Sequence, residues 1–302
     1  MFYTLKNTTK TNSLIFNQIF VLLVIGSLFS NIQAQCLPGY NFYKQITIQS
    51  SKVAADQTDF PVLIQHTDLD LRHTTSTGDV ENINGYDITF TAADKITVLD
   101  HQIESYDPTT GKITMWLKIP FLSGTVDTDV YMYYGNSAIA TDPSTTSVWD
   151  ANHRAVYHFE SIATMGDDAT SNAVNLANNG VDNFVGVADD GANFELGDNL
   201  EGAVGGGANI TANLTISTWV NLHSLQGSVY DNVLVVNGAA GETMGTNYAY
   251  YLSIDPDWKL RIFWEYDSGT NAVYTSTAPI TPSIGGWTQL TVTRKISNEK
   301  LA

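Results

Sequence analysis

The carboxylates best spaced for acid–base chemistry are Glu265 and Asp267, in the run Trp264-Glu265-Tyr266-Asp267. Alternate residues of a strand share a face, and glycoside hydrolysis uses two carboxylates ~5–5.5 Å apart for retention or ~6.5–9.5 Å apart for inversion. Asp267, however, opens the turn cluster Asp267-Ser268-Gly269, and Asp in such a cluster serves the backbone. The pair reads as a solvated face running into a turn. A second grouping suits a hard cation. Asp167-Asp168-Ala169-Thr170-Ser171-Asn172 gathers side-chain oxygens where no base competes for them, with Asp167, Asp168 and Asn172 as candidate calcium ligands. It lacks the alternating oxygens and terminal Glu of an EF-hand. An Asx-type turn needing no metal accounts for the same residues, so both readings stand. Asp189-Asp190-Gly191 is a weaker case of the same kind.

Aromatic side chains supply the third chemistry, stacking on the apolar faces of sugar rings. Trp258, Trp264 and Tyr266 are the candidate platforms. Trp258 follows Asp255-Pro256-Asp257 in turn chemistry. Strict alternation over 260–266 puts Leu260, Ile262, Trp264 and Tyr266 on one face, an arrangement that serves a core equally well. Trp219 and Trp287, on apolar strands, read as core.

Other chemistries find no support. The six His show no His-Glu-x-x-His spacing and have no Cys partners, so zinc is unsupported. There is no nucleophile elbow, P-loop or dinucleotide fingerprint. The chain carries 14 Lys and Arg against 31 Asp and Glu, a formal charge of −17, and no base lies between Arg154 and Lys259. A nucleic-acid partner needs bases to displace its counterions, and an anionic membrane surface attracts them too; neither fits this chain.

The elements that must position these residues are strands. Segments 44–49, 60–65, 86–91, 112–119, 130–134, 214–222, 248–254, 260–266 and 287–293 are rich in Val, Ile, Thr, Tyr and Trp with a period near two, as in a sandwich or barrel. Turn clusters separate them, Asp107-Pro108-Thr109-Thr110-Gly111 above all. No stretch after residue 34 holds a helical apolar period over three turns. The fold class is all-β, and the length suits two domains.

The first 34 residues read as a secretory signal peptide: Lys6 and Lys10, an apolar run at 19–29, then Ile32-Gln33-Ala34 at the cut. The run is short of the roughly 20 apolar residues that span a bilayer, and no later segment is apolar enough to do so. The mature chain is therefore expected to be exported, secreted or on a cell surface. Cys36 stands alone and forms no internal disulfide. Residues 137–150, small, polar and proline-bearing, read as a linker.

Six blocks occur in order: Tyr43-Lys44-Gln45-Ile46-Thr47-Ile48, Asp59-Phe60-Pro61-Val62-Leu63-Ile64, Gly85-Tyr86-Asp87-Ile88-Thr89-Phe90-Thr91, Ile103-Glu104-Ser105-Tyr106-Asp107, Trp116-Leu117-Lys118-Ile119-Pro120 and Val130-Tyr131-Met132-Tyr133-Tyr134-Gly135-Asn136. Over 40–136 the series resembles domain of unknown function 2341 of exported bacterial proteins. Val148-Trp149-Asp150, Ala155-Val156-Tyr157-His158-Phe159-Glu160, Leu214 to Val220 and Gly286-Trp287-Thr288-Gln289-Leu290 resemble a laminin-G-like jelly roll of the concanavalin A-like lectin/glucanase superfamily, covering 151–302. That resemblance implies closing strands after the last block, so the second domain is expected to be an incomplete jelly roll.

The expectation is two tandem β-sandwiches in an exported, non-catalytic recognition protein. Its ligand class is carbohydrate or an extracellular polymer, with calcium as the candidate cofactor. The alternatives are a hydrolase of O-glycosyl bonds and a structural spacer within a longer surface protein.

Overall fold

The computed structural model describes residues 3–6, 36–203, 210, 213–222, 232–238, 250–267, 270–280 and 286–295. Apart from four single-turn 3-10 helices, every regular element among them is a strand, and the chain is all-β as expected. It divides into two compact units, Met1–Glu160 with Ala169–Ser171, and Ser161–Asp168 with Asn172–Ala302.

The first unit is a sandwich of two antiparallel sheets. One has the order β1 (Tyr3–Lys6), β2 (Phe42–Ile48), β7 (Thr128–Tyr134), β4 (Thr89–Thr91). The other has the order β3 (Gln57–Thr67), β6 (Lys112–Leu122), β5 (His101–Asp107). Alternation along each strand builds the core between them. Ile46 and Ile48 of β2 and Val130 and Met132 of β7 meet Val62 and Ile64 of β3 and Ile113, Met115, Leu117 and Ile119 of β6. Pro61 sits on edge strand β3, where a missing N–H is tolerated. Strand β1 falls within the segment read as a leader. It is the outermost strand of its sheet, so the order β2-β7-β4 does not depend on it. The apolar run at 19–29 lies outside the described residues.

The predicted turn at 107–111 joins β5 to β6 as expected. Asp107 Oδ1 accepts from the Thr109 and Thr110 backbone N–H groups at 2.8 and 3.3 Å, and both Thr hydroxyls donate to the same carboxylate. Those bonds, led by the Thr hydroxyls, hold the Asp107 carboxyl down at about 2.

The segment predicted as a linker is packed. Val148 and Trp149 are buried against Trp116 and Val156, and Thr145 N–H donates to His101 C=O at 3.0 Å beside β5. The first unit thus runs to Glu160, ten residues past the expected boundary at 150. A polar, proline-bearing composition was outweighed by two apolar anchors at its end.

The second unit contains two short antiparallel pairs, β8 (Leu176–Asn179) with β11 (Asn199–Gly202) and β9 (Asp182–Val185) with β10 (Asp190–Asn193). A ribbon of β12 (Leu214–Asn221) and β17 (Trp287–Arg294) faces a four-stranded meander. The meander is β13 (Asn232–Asn237), β14 (Tyr250–Ile254), β15 (Leu260–Asp267) and β16 (Thr270–Thr275). Leu214, Ile216 and Val292 of the ribbon pack with Leu252, Ile262, Trp264, Ala272 and Tyr274 of the meander. Among the described residues no helix is long and apolar enough to cross a membrane.

Candidate functional site

Trp264, expected as a sugar platform or a core residue, is a core residue. It is 9% exposed, stacks on Tyr274 with ring centroids 5.0 Å apart, and takes the Arg294 guanidinium over its ring at 5.3 Å. Tyr266 lies on β15, but its side chain is outside the described residues, as are those of Glu265 and Asp267. A register shift interrupts the β15–β16 ladder between Glu265 and Asp267, at the turn the sequence predicted.

Trp258 stays half-buried in the β14–β15 loop and holds a left-handed backbone with φ 62°. That conformation is an outlier for a bulky residue, and the loop enforces it. Asp255, itself buried, accepts from the backbone N–H groups of Asp257 and Lys259 at 3.0 and 2.9 Å, while Trp258 N–H donates to Asp255 C=O at 3.0 Å.

The acidic loop forms a hydrogen-bonded turn. Asp168 Oδ2 accepts from Val174 N–H at 2.9 Å, Asp168 N–H donates to Asn175 Oδ1 at 3.0 Å, and Asp167 N–H donates to Thr164 C=O at 2.9 Å. Asp167 and Asn172 are exposed. Among the described residues no three carboxylate, His or Cys side chains gather as a metal group.

Two arrangements were not singled out from the sequence. The first is on the outer face of the second unit's ribbon. The β12 burial pattern turns Leu214, Ile216, Thr218 and Val220 inward and leaves Thr215, Ser217 and Trp219 outward. Trp219, expected in the core, is 48% exposed. Opposite these stand Thr293, Thr291 and Gln289 of β17. The hydroxyls of Thr215 and Thr293 lie 3.1 Å apart and those of Ser217 and Thr291 3.0 Å apart, while Gln289 Nε2 donates to Ser217 Oγ at 3.3 Å. None of the six side chains is charged. Trp287, also read as core, is half-buried against Phe184 of β9, ring centroids 6.5 Å apart. The signal in the sequence was the strict alternation 214-216-218-220, which already assigns Trp219 to the face of Thr215 and Ser217.

The second arrangement is on the outer face of β5 and β6 in the first unit. A β-bulge between Ile103 and Ser105 leaves Glu104 without a ladder partner. Its Oε2 accepts from Trp116 Nε1–H at 2.6 Å and lies 3.2 Å from His158 Nδ1. Gln102 is oriented by its neighbours, since Oε1 accepts from Trp149 Nε1–H at 2.9 Å and Nε2 donates to Ala169 C=O at 3.3 Å. His158 Nε2 then faces that same Oε1 at 3.2 Å. Both ring nitrogens of His158 thus face side-chain oxygens, Nδ1 that of Glu104 and Nε2 that of Gln102. Trp116 and Trp149 flank the imidazole with centroids 6.0 and 5.9 Å away. With the Glu104 and His158 side chains 4% and 9% exposed, this buried network acts as a clasp on the strap 144–160.

These features define a two-unit, all-β protein with a clasped first unit and an uncharged aromatic face on the second. Residues 84–172 match the family described as Domain of unknown function (DUF2341). The match begins later and ends later than the expected span of 40–136, and it takes in the clasp residues Glu104, Trp116, Trp149 and His158. No curated protein and no solved structure matches the chain.

Proposed function

We propose that the chain is an exported recognition protein whose second unit, a laminin-G-like jelly roll, binds carbohydrate without cleaving it. One observation carries the reading: an exposed indole beside paired hydroxyls and an amide on the outward face of the β12–β17 ribbon, within an otherwise acidic unit. Indole supplies an apolar surface to a sugar ring, and hydroxyl and amide groups supply hydrogen bonds to its edge. Calcium at Asp167, Asp168 and Asn172 assists by holding the loop that precedes β8, and Trp258 adds a second aromatic contact at a loop tip.

Retention of the purified chain on a glycan array or on insoluble polysaccharides, with and without chelator, is the test. Binding to at least one glycan without release of reducing sugar supports the reading, and loss of that binding in chelator assigns calcium its part. Absence of retention on any glycan sinks it.

A further inference from the structure

The ribbon face restricts the kind of carbohydrate. Its three rungs, Thr215–Thr293, Ser217–Thr291 and Trp219–Gln289, recur every two residues. At ~3.4 Å per residue they cover roughly 14 Å along the strands, longer than one pyranose ring. In each hydroxyl pair one O–H donates to the other oxygen, so the second O–H of the pair remains to be directed outward. The rungs succeed one another along the strands, and a single sugar ring would touch one of them and leave the others solvated. Several rings in line would engage all three.

Charge selects further. An anionic sugar needs a cation beside its carboxylate or sulfate. None of the six outward side chains supplies one, and no base occurs in sequence between Arg154 and Lys259. Arg294, next along β17, is buried on the inner face against Trp264, and exposed Lys295 lies beyond the last rung. The acidic unit around the face repels polyanions besides.

Resting on the glycan reading above, we infer that the ligand is an uncharged, extended polysaccharide lying lengthwise along β12 and β17. Trp219 stacks on one ring, and the Ser217–Thr291 and Thr215–Thr293 rungs take the hydroxyls of the rings that follow.

Native electrophoresis of the full chain through gels containing soluble polysaccharide tests this. The neutral arms are hydroxyethylcellulose, xyloglucan, galactomannan and dextran; the anionic arms are alginate and polygalacturonate. Expected is retardation by at least one neutral polymer and by neither anionic one. Trp219→Ala and Thr291→Asp, both at exposed positions, are expected to weaken it at least tenfold, while Trp219→Phe retains most of it and all three keep the wild-type circular dichroism. Retardation confined to anionic polymers, or undiminished in Trp219→Ala and Thr291→Asp, overturns the inference and leaves glycan recognition standing on another surface. No retardation by any polymer overturns both.

Discussion

Glu104 and His158 lie far apart in sequence, yet each supplies what the other lacks once the strap has closed over β5 and β6. Removing one member of a buried pair leaves the other desolvated and short of a partner, which costs more than the pair contributes. Glu104→Ala takes the acceptor from Trp116 Nε1–H and from His158 Nδ1, leaving His158 only Gln102 through Nε2, and is expected to destabilise the first unit by ~3 kcal/mol, His158→Ala by somewhat less. Urea titration followed by tryptophan fluorescence measures it, and two variants unfolding at the wild-type midpoint would remove the clasp from the account. A second residue sets a pH dependence. Burial pushes the His101 imidazole below its usual range, and the carbonyls of Leu99 and Ile88 with Asp142 and Asp100 only partly offset it. The folded state therefore binds this proton less readily than the unfolded chain. Stability is full above the unfolded value of ~6.5 and falls as pH drops below it. His66, also lowered by burial, adds a slope of the same sign. His101→Gln should flatten the change in urea midpoint between about pH 7.5 and about pH 5 without abolishing it; an unaltered slope would assign the effect elsewhere. None of this was legible in the sequence, because a contact across a sheet face has no local signature. Trp219 differs, since its exposure was written in the alternation of its neighbours.

At the scale of elements, legibility followed local chemistry. All nine predicted strands coincide at least in part with strands of the fold, though the segment at 86–91 is strand only over Thr89–Thr91. The short strands β8 to β11 were missed because sequences such as Leu-Ala-Asn-Asn and Asp-Gly-Ala-Asn have little strand propensity and are held by pairing alone. Turn chemistry was the most readable. The β5–β6 turn needs glycine for two reasons that separate experimentally. Gly111 has φ 71°, and a Cβ there would meet the Asp68 carbonyl oxygen at 2.0 Å, a backbone atom that cannot step aside. Gly197, with φ 103°, has open space around its missing Cβ. Gly197→Ala should cost only the left-handed backbone penalty of ~1 kcal/mol, and Gly111→Ala distinctly more. Thermal unfolding of the two variants measures the difference, and equal losses would show that the Asp68 segment yields freely. Asp107, bonded to Thr109 and Thr110 as the turn predicts, needs no partner from outside the hairpin.

Across the whole molecule the chain divides into two compact units, and the first extends beyond the stretch that composition marks as a linker. Composition placed the joint at 137–150, since small polar residues with a proline usually mean exposed chain. The fold instead anchors that stretch through Val148 and Trp149, carries the first unit to Glu160, and returns to it at Ala169–Ser171, where Gln102 bonds the Ala169 carbonyl. The end of the family match at residue 172 coincides with that return. The physical unit therefore includes the strap, and the test is where the chain can be cut. A fragment of residues 36–172 retains β2 to β7, the clasp and the Trp116–Trp149 packing. A fragment ending at 136 exposes Trp116 and leaves Glu104 and Gln102 buried-face groups without His158, Trp149 or Ala169. The longer fragment should unfold in a single cooperative urea transition with the fluorescence of a packed Trp116–Trp149 pair, and the shorter should bind a hydrophobic dye or aggregate. Cooperative folding of the shorter fragment at equal stability would return the boundary to where composition put it, with the strap reduced to a passenger on the sandwich.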